Sequence, residues 1–174
     1  MHIAALSAAD APRYRALMLH AYAAAADAFT STVEERAAAP ESWWVARIAD
    51  PAGLSQAFGA FDGEELVGTV TIEFSAKPKT RHKALLIGMF VGEAARGRGV
   101  GKALVQAALA AAAARPGVQI VTLTVTEGNA SAIALYEACG FRVFGVEPMA
   151  IATPACFKSR VHMWLPLRGT AAAV

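Results

Sequence analysis

The first 50 residues of the chain show the three- and four-residue spacing of apolar positions that is typical of helices. After a short predicted strand at 3–6, this spacing predicts a helix over about 12–27 with one buried face. A second helical region covers about 33–49, and Pro40 interrupts it. Residues 29–32 link the two helical regions.

From Ser55 the spacing of apolar positions shortens to two residues, which predicts strands. Two strands, over 55–61 and 66–74, flank an Asp-Gly pair at Asp62 and Gly63 that is typical of a hairpin turn. A third strand over about 82–91 leads into a run rich in glycine.

Helices and strands alternate in the second half of the chain. The predicted elements are an alanine-rich helix at 102–114, a β-branched strand at 118–126, a helix at 130–138 that begins at Asn129, and strands at 142–151 and 157–167. The whole pattern predicts an α/β (α+β) fold with a mixed, mostly antiparallel sheet of about seven strands, flanked by about four helices. We expect a single domain over 1–168 and a disordered tail at 169–174.

Composition narrows the class of protein. Hydrophobic residues make up 56% of the 174 residues, but much of this fraction is alanine. No uninterrupted apolar run reaches the roughly 18 residues of a membrane span, and no secretory signal is visible, so we expect a cytoplasmic protein without a membrane partner. The net charge of +2 is too small to indicate a nucleic-acid partner.

The two cysteines and the histidines give no sign of a metal site. Cys139 and Cys156 lack the spacing of a ligand pair and are expected to be reduced core residues. Because no His-x-His or HExxH cluster is present either, we predict no metal.

The run from Arg96 to Lys102, between a predicted strand and a predicted helix, indicates an anion site. A strand that turns into a helix through glycines exposes backbone N–H groups at the positive end of the helix dipole, and Arg96 and Arg98 add positive charge. A P-loop would need a hydroxyl at the position of Ala103, and a dinucleotide fingerprint would need a different glycine spacing. The alternative is that the glycines are present only because the backbone needs positive φ.

Two segments together resemble the GNAT family of N-acetyltransferases. Arg96-Gly97-Arg98-Gly99-Val100-Gly101 matches the family signature Arg/Gln-x-x-Gly-x-Gly/Ala. The segment from Asn129 to Phe141 is similar to the second family hallmark, Asn-x-x-Ala-x-x-Leu-Tyr-x-x-x-Gly-Phe. The resemblance is clearest over about 55–167 and implies an acetyl-CoA-dependent N-acetyltransferase that acts on a primary amine of a small molecule, a peptide or a protein.

The resemblance also implies the residues that hold acetyl-CoA. The pyrophosphate would lie on the backbone of Arg96, Gly97, Arg98, Gly99, Val100, Gly101 and Lys102, and the pantetheine arm would pair with the free backbone of Met89, Phe90 and Val91. Asn129 would contact the arm. Tyr136 would contact the cofactor near its sulfur and protonate the leaving thiolate, as the catalytic residue.

One departure from the family pattern concerns the general base, because the strand 84–91 carries no acid where many relatives place a glutamate. Glu73, His82, Glu127 and a water relay all stay open as the route for the amine proton. A CoA-binding module without chemistry is therefore the alternative function. The lack of an acidic cluster makes polyamine or aminoglycoside acceptors less favoured.

Acceptor specificity is expected to come from the first helices, their link at 29–32 and the final strand pair. Candidate pocket residues are Tyr22, Phe29, Trp43, Trp44 and His162, with core packing favoured for the tryptophans. Members of the family are often dimers, so the resemblance leaves a homodimer open.

Overall fold

The computed structural model describes residues 1–167, and within them it contains seven strands and five α-helices. In chain order these are β1 His2–Ala5, α1 Ala11–Ala24, α2 Val33–Ala37, α3 Glu41–Ile48, β2 Ser55–Asp62, β3 Glu65–Phe74, β4 Lys83–Val91, α4 Val100–Ala114, β5 Ile120–Thr126, α5 Ala130–Ala138, β6 Arg142–Ala152 and β7 Phe157–Pro166. The strands form one sheet in the order β1-β2-β3-β4-β5-β7-β6. All neighbours run antiparallel except β4 and β5, so the predicted mixed, mostly antiparallel sheet is confirmed.

Helices cover both faces of this sheet. On one face α4 buries Leu104 and Val105 in the same core cluster as Ala60 of β2. On the other face α1 and α3 bury their side chains with Ala57 of β2, three residues away and therefore on the opposite side of the strand. Trp44 is 1% exposed in this second cluster.

The first two helical regions end differently from the prediction. The helix predicted to run to about Asp27 ends at Ala24, and a separate 3₁₀ turn follows at Ala26–Ala28. The second region is two helices, because Pro40 lies before α3 as its N-cap and cannot donate a helical hydrogen bond. At the start of α2, the Thr32 hydroxyl accepts from the backbone N–H of Glu35, which makes a capping box.

Three further predictions are tested only partly by the structure. Cys139 and Cys156 form no disulfide, but Cys156 is exposed, so its placement in the core is wrong; it lies in the loop between β6 and β7. Among residues 1–167, no helix combines the length and the apolar character needed to cross a membrane. The tail predicted at 169–174 lies outside the described residues.

Candidate functional site

The sheet splits between its two parallel strands. Pairing between β4 and β5 covers only Lys83–Leu85 against Ile120–Thr122, although both strands continue beyond these residues. On its other edge β5 pairs with β7 as far as Thr126. The facing backbone groups of 86–91 are therefore free of ladder partners on the β5 side, and a cleft opens between the strands.

A bulge in β4 lies at the side of this cleft. The register between β3 and β4 shifts so that two residues of β4, Gly88 and Met89, oppose Val70 alone. Gly88 has φ +59°, a left-handed conformation that favours glycine. An isolated glycine inside a strand pattern is the sequence signal for such a bulge.

Beyond the bulge, the chain turns into α4 and presents a row of backbone donors. No N–H group from Gly97 to Lys102 donates to a carbonyl within the described chain, and the first that does is Ala103, to the Gly99 carbonyl at 3.1 Å. These groups lie at the positive end of the dipole of the 15-residue helix α4. The arrangement suits a phosphate or pyrophosphate.

The three glycines of this turn are needed for two different reasons. Gly97 and Gly99 have φ +72° and +77° with open space around them, so they are required by backbone conformation. A Cβ on Gly101 would lie 3.1 Å from a methyl group of Leu135 and 3.2 Å from that of Met89. Gly101 therefore lets α4 approach α5 and β4 closely.

The side chains of the predicted cofactor residues do not all face the groove beside this turn. Arg98 is paired with Asp62 at 3.1 Å and does not line the groove, so its predicted cofactor contact stays a prediction that this arrangement assigns to its backbone N–H. Arg96 does line it, and its Nε donates to the Val91 carbonyl at 2.9 Å. Phe90 and Val100 are 5% and 4% exposed, which leaves mainly their backbone for a ligand.

Asn129 and Tyr136 lie on α5, beside the cleft. The Asn129 side-chain oxygen accepts from the N–H of Ala132 at 3.2 Å, so Asn129 is an N-cap that also lines the groove. Tyr136 lines the neighbouring cavity and not the groove, and its ring packs edge-on against Phe141. Burial raises the pKa of the Tyr136 hydroxyl well above its usual value of 10.0, which keeps this group protonated near neutral pH.

A cavity of about 380 Å³ adjoins the cleft. Its walls combine β4 and β5 with Tyr22 of α1, Phe29, Thr30 and Ser31 of the link, and three arginines, Arg36, Arg47 and Arg160. The cavity shares Phe29, Met89, Asn129, Ala132 and Leu135 with the groove beside the glycine turn, so the two spaces are continuous. The expectation that the first helices, their link and the final strand pair surround the reacting centre agrees with this lining.

The structure brings Tyr22 and Phe29 into this cavity but not the other candidate pocket residues. Trp44 lies in the core, and Trp43 lies outside the cavity wall, behind the arginines. His162 faces Glu147, with 3.1 Å between Nε2 and Oε2. The three arginines were missed because 36, 47 and 160 are far apart in the sequence and belong to no motif.

None of the three side chains considered for the general base lines the cavity. Glu73 is bound to Arg47 at 2.6 Å. His82 lies before the paired end of β4, and its carbonyl accepts from Gln119 and Ile120. Glu127 is exposed beside a separate pocket.

Comparison with known proteins identifies the family. The model of the acetyltransferase (GNAT) family matches residues 18–141. The chain belongs to the GNAT acetyltransferase family. It is also 33% identical over 102 residues to the L-amino acid N-acetyltransferase AaaT of Escherichia coli K12, a match that covers 59% of this chain and 62% of that protein. The chain thus spans less than two thirds of the length of this curated relative.

Solved structures share the fold of this GNAT chain. A phosphinothricin acetyltransferase from Sinorhizobium meliloti, in complex with acetyl-CoA, has a TM-score of 0.84 at 20% identity and covers 99% of this chain and 91% of its own. The putative acetyltransferase yncA from Salmonella typhimurium, with its cofactor acetyl-CoA, has a TM-score of 0.81 at 21% identity, covering 100% and 98%. At these identities the likeness establishes the fold.

Proposed function

We propose that this protein transfers the acetyl group of acetyl-CoA to the primary amine of a small molecule. The observation that carries the proposal is the continuous space formed by the unpaired edge of β4, the free N–H groups of 97–102 and the cavity that Tyr136 lines. Membership of the GNAT family supports the reaction class, and the name of the Escherichia coli relative supports a small acceptor.

The donor groups of this space fit acetyl-CoA. The N–H groups from Gly97 to Lys102 would bind its pyrophosphate, with Arg96 adding charge, and the free backbone of 89–91 would pair with its arm. When bound, acetyl-CoA supplies an activated acetyl thioester. Asn129 and Ser131 line the same groove.

The chain's own residues then support direct transfer. A backbone N–H of 89–91 would donate to the carbonyl oxygen as it gains negative charge, an effect on the order of 3 kcal/mol per donor. The amine nitrogen bonds to the carbonyl carbon, the carbon–sulfur bond then breaks, and the nitrogen releases its second proton to water. Tyr136 gives its phenolic proton to the departing sulfur and is reprotonated from solvent.

The amine must lose a proton before it attacks, and we propose that water receives it. The cavity wall contains no aspartate, glutamate, histidine or lysine among residues 1–167. Positive charge on Arg160 would lower the pKa of an ammonium bound nearby, which favours the neutral nucleophile without a dedicated base.

Thiol release measured across a panel of small primary amines and peptides tests this proposal, with calorimetry of acetyl-CoA binding alongside. We expect micromolar binding of acetyl-CoA, as an order of magnitude, and amine-dependent release of CoA thiol. Binding without thiol release for every amine would contradict the transfer activity and favour a CoA-binding module that lacks chemistry.

Two properties stay predictions alongside this function. A homodimer would use the edge of the sheet formed by β6 and its neighbour β7. Several large apolar residues are exposed on these two strands: Val143, Phe144, Val146 and Met149 on β6, and Phe157 on β7. A cytoplasmic location is the other.

A further inference from the structure

The acceptor cavity is lined by three arginines, of which Arg47 alone has a carboxylate partner among residues 1–167. Arg36, Arg47 and Arg160 all contribute to its wall, and within the described chain no acidic side chain does. Arg36 and Arg160 have no carboxylate partner among residues 1–167. The space beyond the acetyl position therefore has an unbalanced positive charge, which favours an anionic ligand group.

Arg36 is held in place while one of its donors is left without an acceptor. Its guanidinium stacks on the Trp43 ring at 4.3 Å, and its Nη2 donates to the Ser31 hydroxyl. Its Nε is buried and has no hydrogen-bond partner within residues 1–167. Because Arg36 lines the cavity and has no carboxylate partner among residues 1–167, its fixed charge favours an anionic ligand there.

Arg47 lies on the same side of the cavity and is fixed by different contacts. It pairs with Glu73 at 2.6 Å and lies 5.6 Å from the centroid of the Trp43 ring, so Trp43 contacts both arginines. Tyr22, Arg36 and Arg47 all line the cavity, and the charges of both arginines lower the pKa of the Tyr22 hydroxyl against the larger effect of burial. Two forked cations and a phenol therefore meet at one wall.

We propose that Arg36 and Arg47, with the Tyr22 hydroxyl, form a carboxylate-binding site for the acceptor, which is a small amine bearing a carboxylate, such as an α-amino acid. The inference rests on the proposed function, since it assigns the acceptor of the same site. The two arginines would hold the carboxylate on the side of α2 and α3, and this would direct the amine toward β4 and Tyr136.

The same charges exclude other acceptors. A polyamine or an amine with a second cation would bring like charge to a wall that already has two arginines and no free acid. A neutral amine without a carboxylate would leave the charge of Arg36 without a counter-ion. We therefore expect the cavity to select its acceptor in two ways, by attracting a carboxylate and by disfavouring amines that lack one.

The experiment compares L-α-amino acids with their α-amides and with the amines that lack the carboxyl group. The ammonium of the amide is more acidic than that of the acid, so near neutral pH a larger fraction of the amide has a neutral, nucleophilic amine. Intrinsic reactivity therefore favours the amide, whereas a carboxylate site would favour the acid. We expect kcat/KM for the acid to exceed that for the amide on the order of 100-fold. Equal values for acid and amide would overturn the inference.

Variants identify the residue responsible. In R36M the ratio of kcat/KM for acid over amide is expected to fall toward one, whereas R36K should retain part of it because the charge remains. The matched control is R13M, which removes an exposed arginine of α1 that makes no ion pair in the structure and lies outside the cavity, and it should keep the full ratio. An unchanged ratio in a folded R36M, judged by its thermal transition, would refute the role of Arg36.

A binding measurement separates this inference from the transfer reaction. N-acetyl amino acids and their amides are titrated calorimetrically into the protein saturated with CoA. Tighter binding of the acid that is lost in R36M supports the carboxylate site even if no turnover is found, in which case only the proposed function fails. Turnover without any preference for the carboxylate, in rate or in binding, overturns the site and leaves the proposed function intact.

Discussion

At the scale of single residues, Tyr136 is the proposed proton donor, and burial sets the protonation state of its hydroxyl. Its ring is 5% exposed, yet it lines the cavity, and its hydroxyl has no hydrogen-bond partner in residues 1–167. Burial disfavours the phenolate, so the group keeps its proton through neutral pH. A neutral phenol next to a departing thiolate can donate, whereas an ionised one could not.

For Tyr136→Phe we expect kcat to fall on the order of 100-fold, because general-acid catalysis is lost. The ring remains and no hydrogen bond within the protein is broken, so the free energy of unfolding should change by less than about 1 kcal/mol. Steady-state kinetics gives kcat, and calorimetry should show acetyl-CoA affinity within about threefold of the unaltered protein. Unchanged turnover would assign Tyr136 to packing against Phe141.

At the scale of elements, the glycine turn and helix α4 act together. The N–H groups of 97–102 have no backbone acceptor in the described chain, the turn that presents them depends on two left-handed glycines, and the helix dipole adds to their positive potential. The predicted anion site is thus a property of the backbone, and most of its side chains contribute little. Arg98 is the clearest example, since its guanidinium pairs with Asp62 elsewhere.

Gly99→Ala tests this view. The added Cβ meets no atom within 4 Å, so the penalty is conformational, about 1–2 kcal/mol at φ +77°. Relaxation of this strain would rotate the neighbouring N–H groups, and we expect the acetyl-CoA Kd to rise about tenfold, which corresponds to about 1.4 kcal/mol. Gly145→Ala is the control, because it too has open space but no positive φ, and it should leave both stability and Kd unchanged. Equal effects of the two variants on Kd would contradict the backbone account.

At the scale of the whole molecule, sequence patterns within single elements predicted where the strands and helices lie, but not which distant residues meet at the site. The period of apolar residues predicted all seven strands to within a few residues, and the Asn129 N-cap was predicted from the sequence pattern around it. The free backbone of 89–91 was predicted only through the family resemblance, because periodicity describes strands and not where their pairing stops. The arginine wall could not be predicted, since its members meet only after α2, α3 and β7 pack around one cavity.

The free energy of unfolding is expected to depend on alkaline pH through the three tyrosines of the chain, Tyr14, Tyr22 and Tyr136. Burial raises the pKa of each above 10.0. The unfolded chain would release these protons near pH 10, so folding retains protons that unfolding releases. The resulting stabilisation is complete below pH 10 and is lost as the pH rises above it. We expect the tyrosinate absorbance of the native protein to lag behind that of the protein in denaturant, and to appear together with unfolding. Coincident titration curves would contradict the burial of the phenols, and Tyr136→Phe should make the alkaline loss of stability less steep.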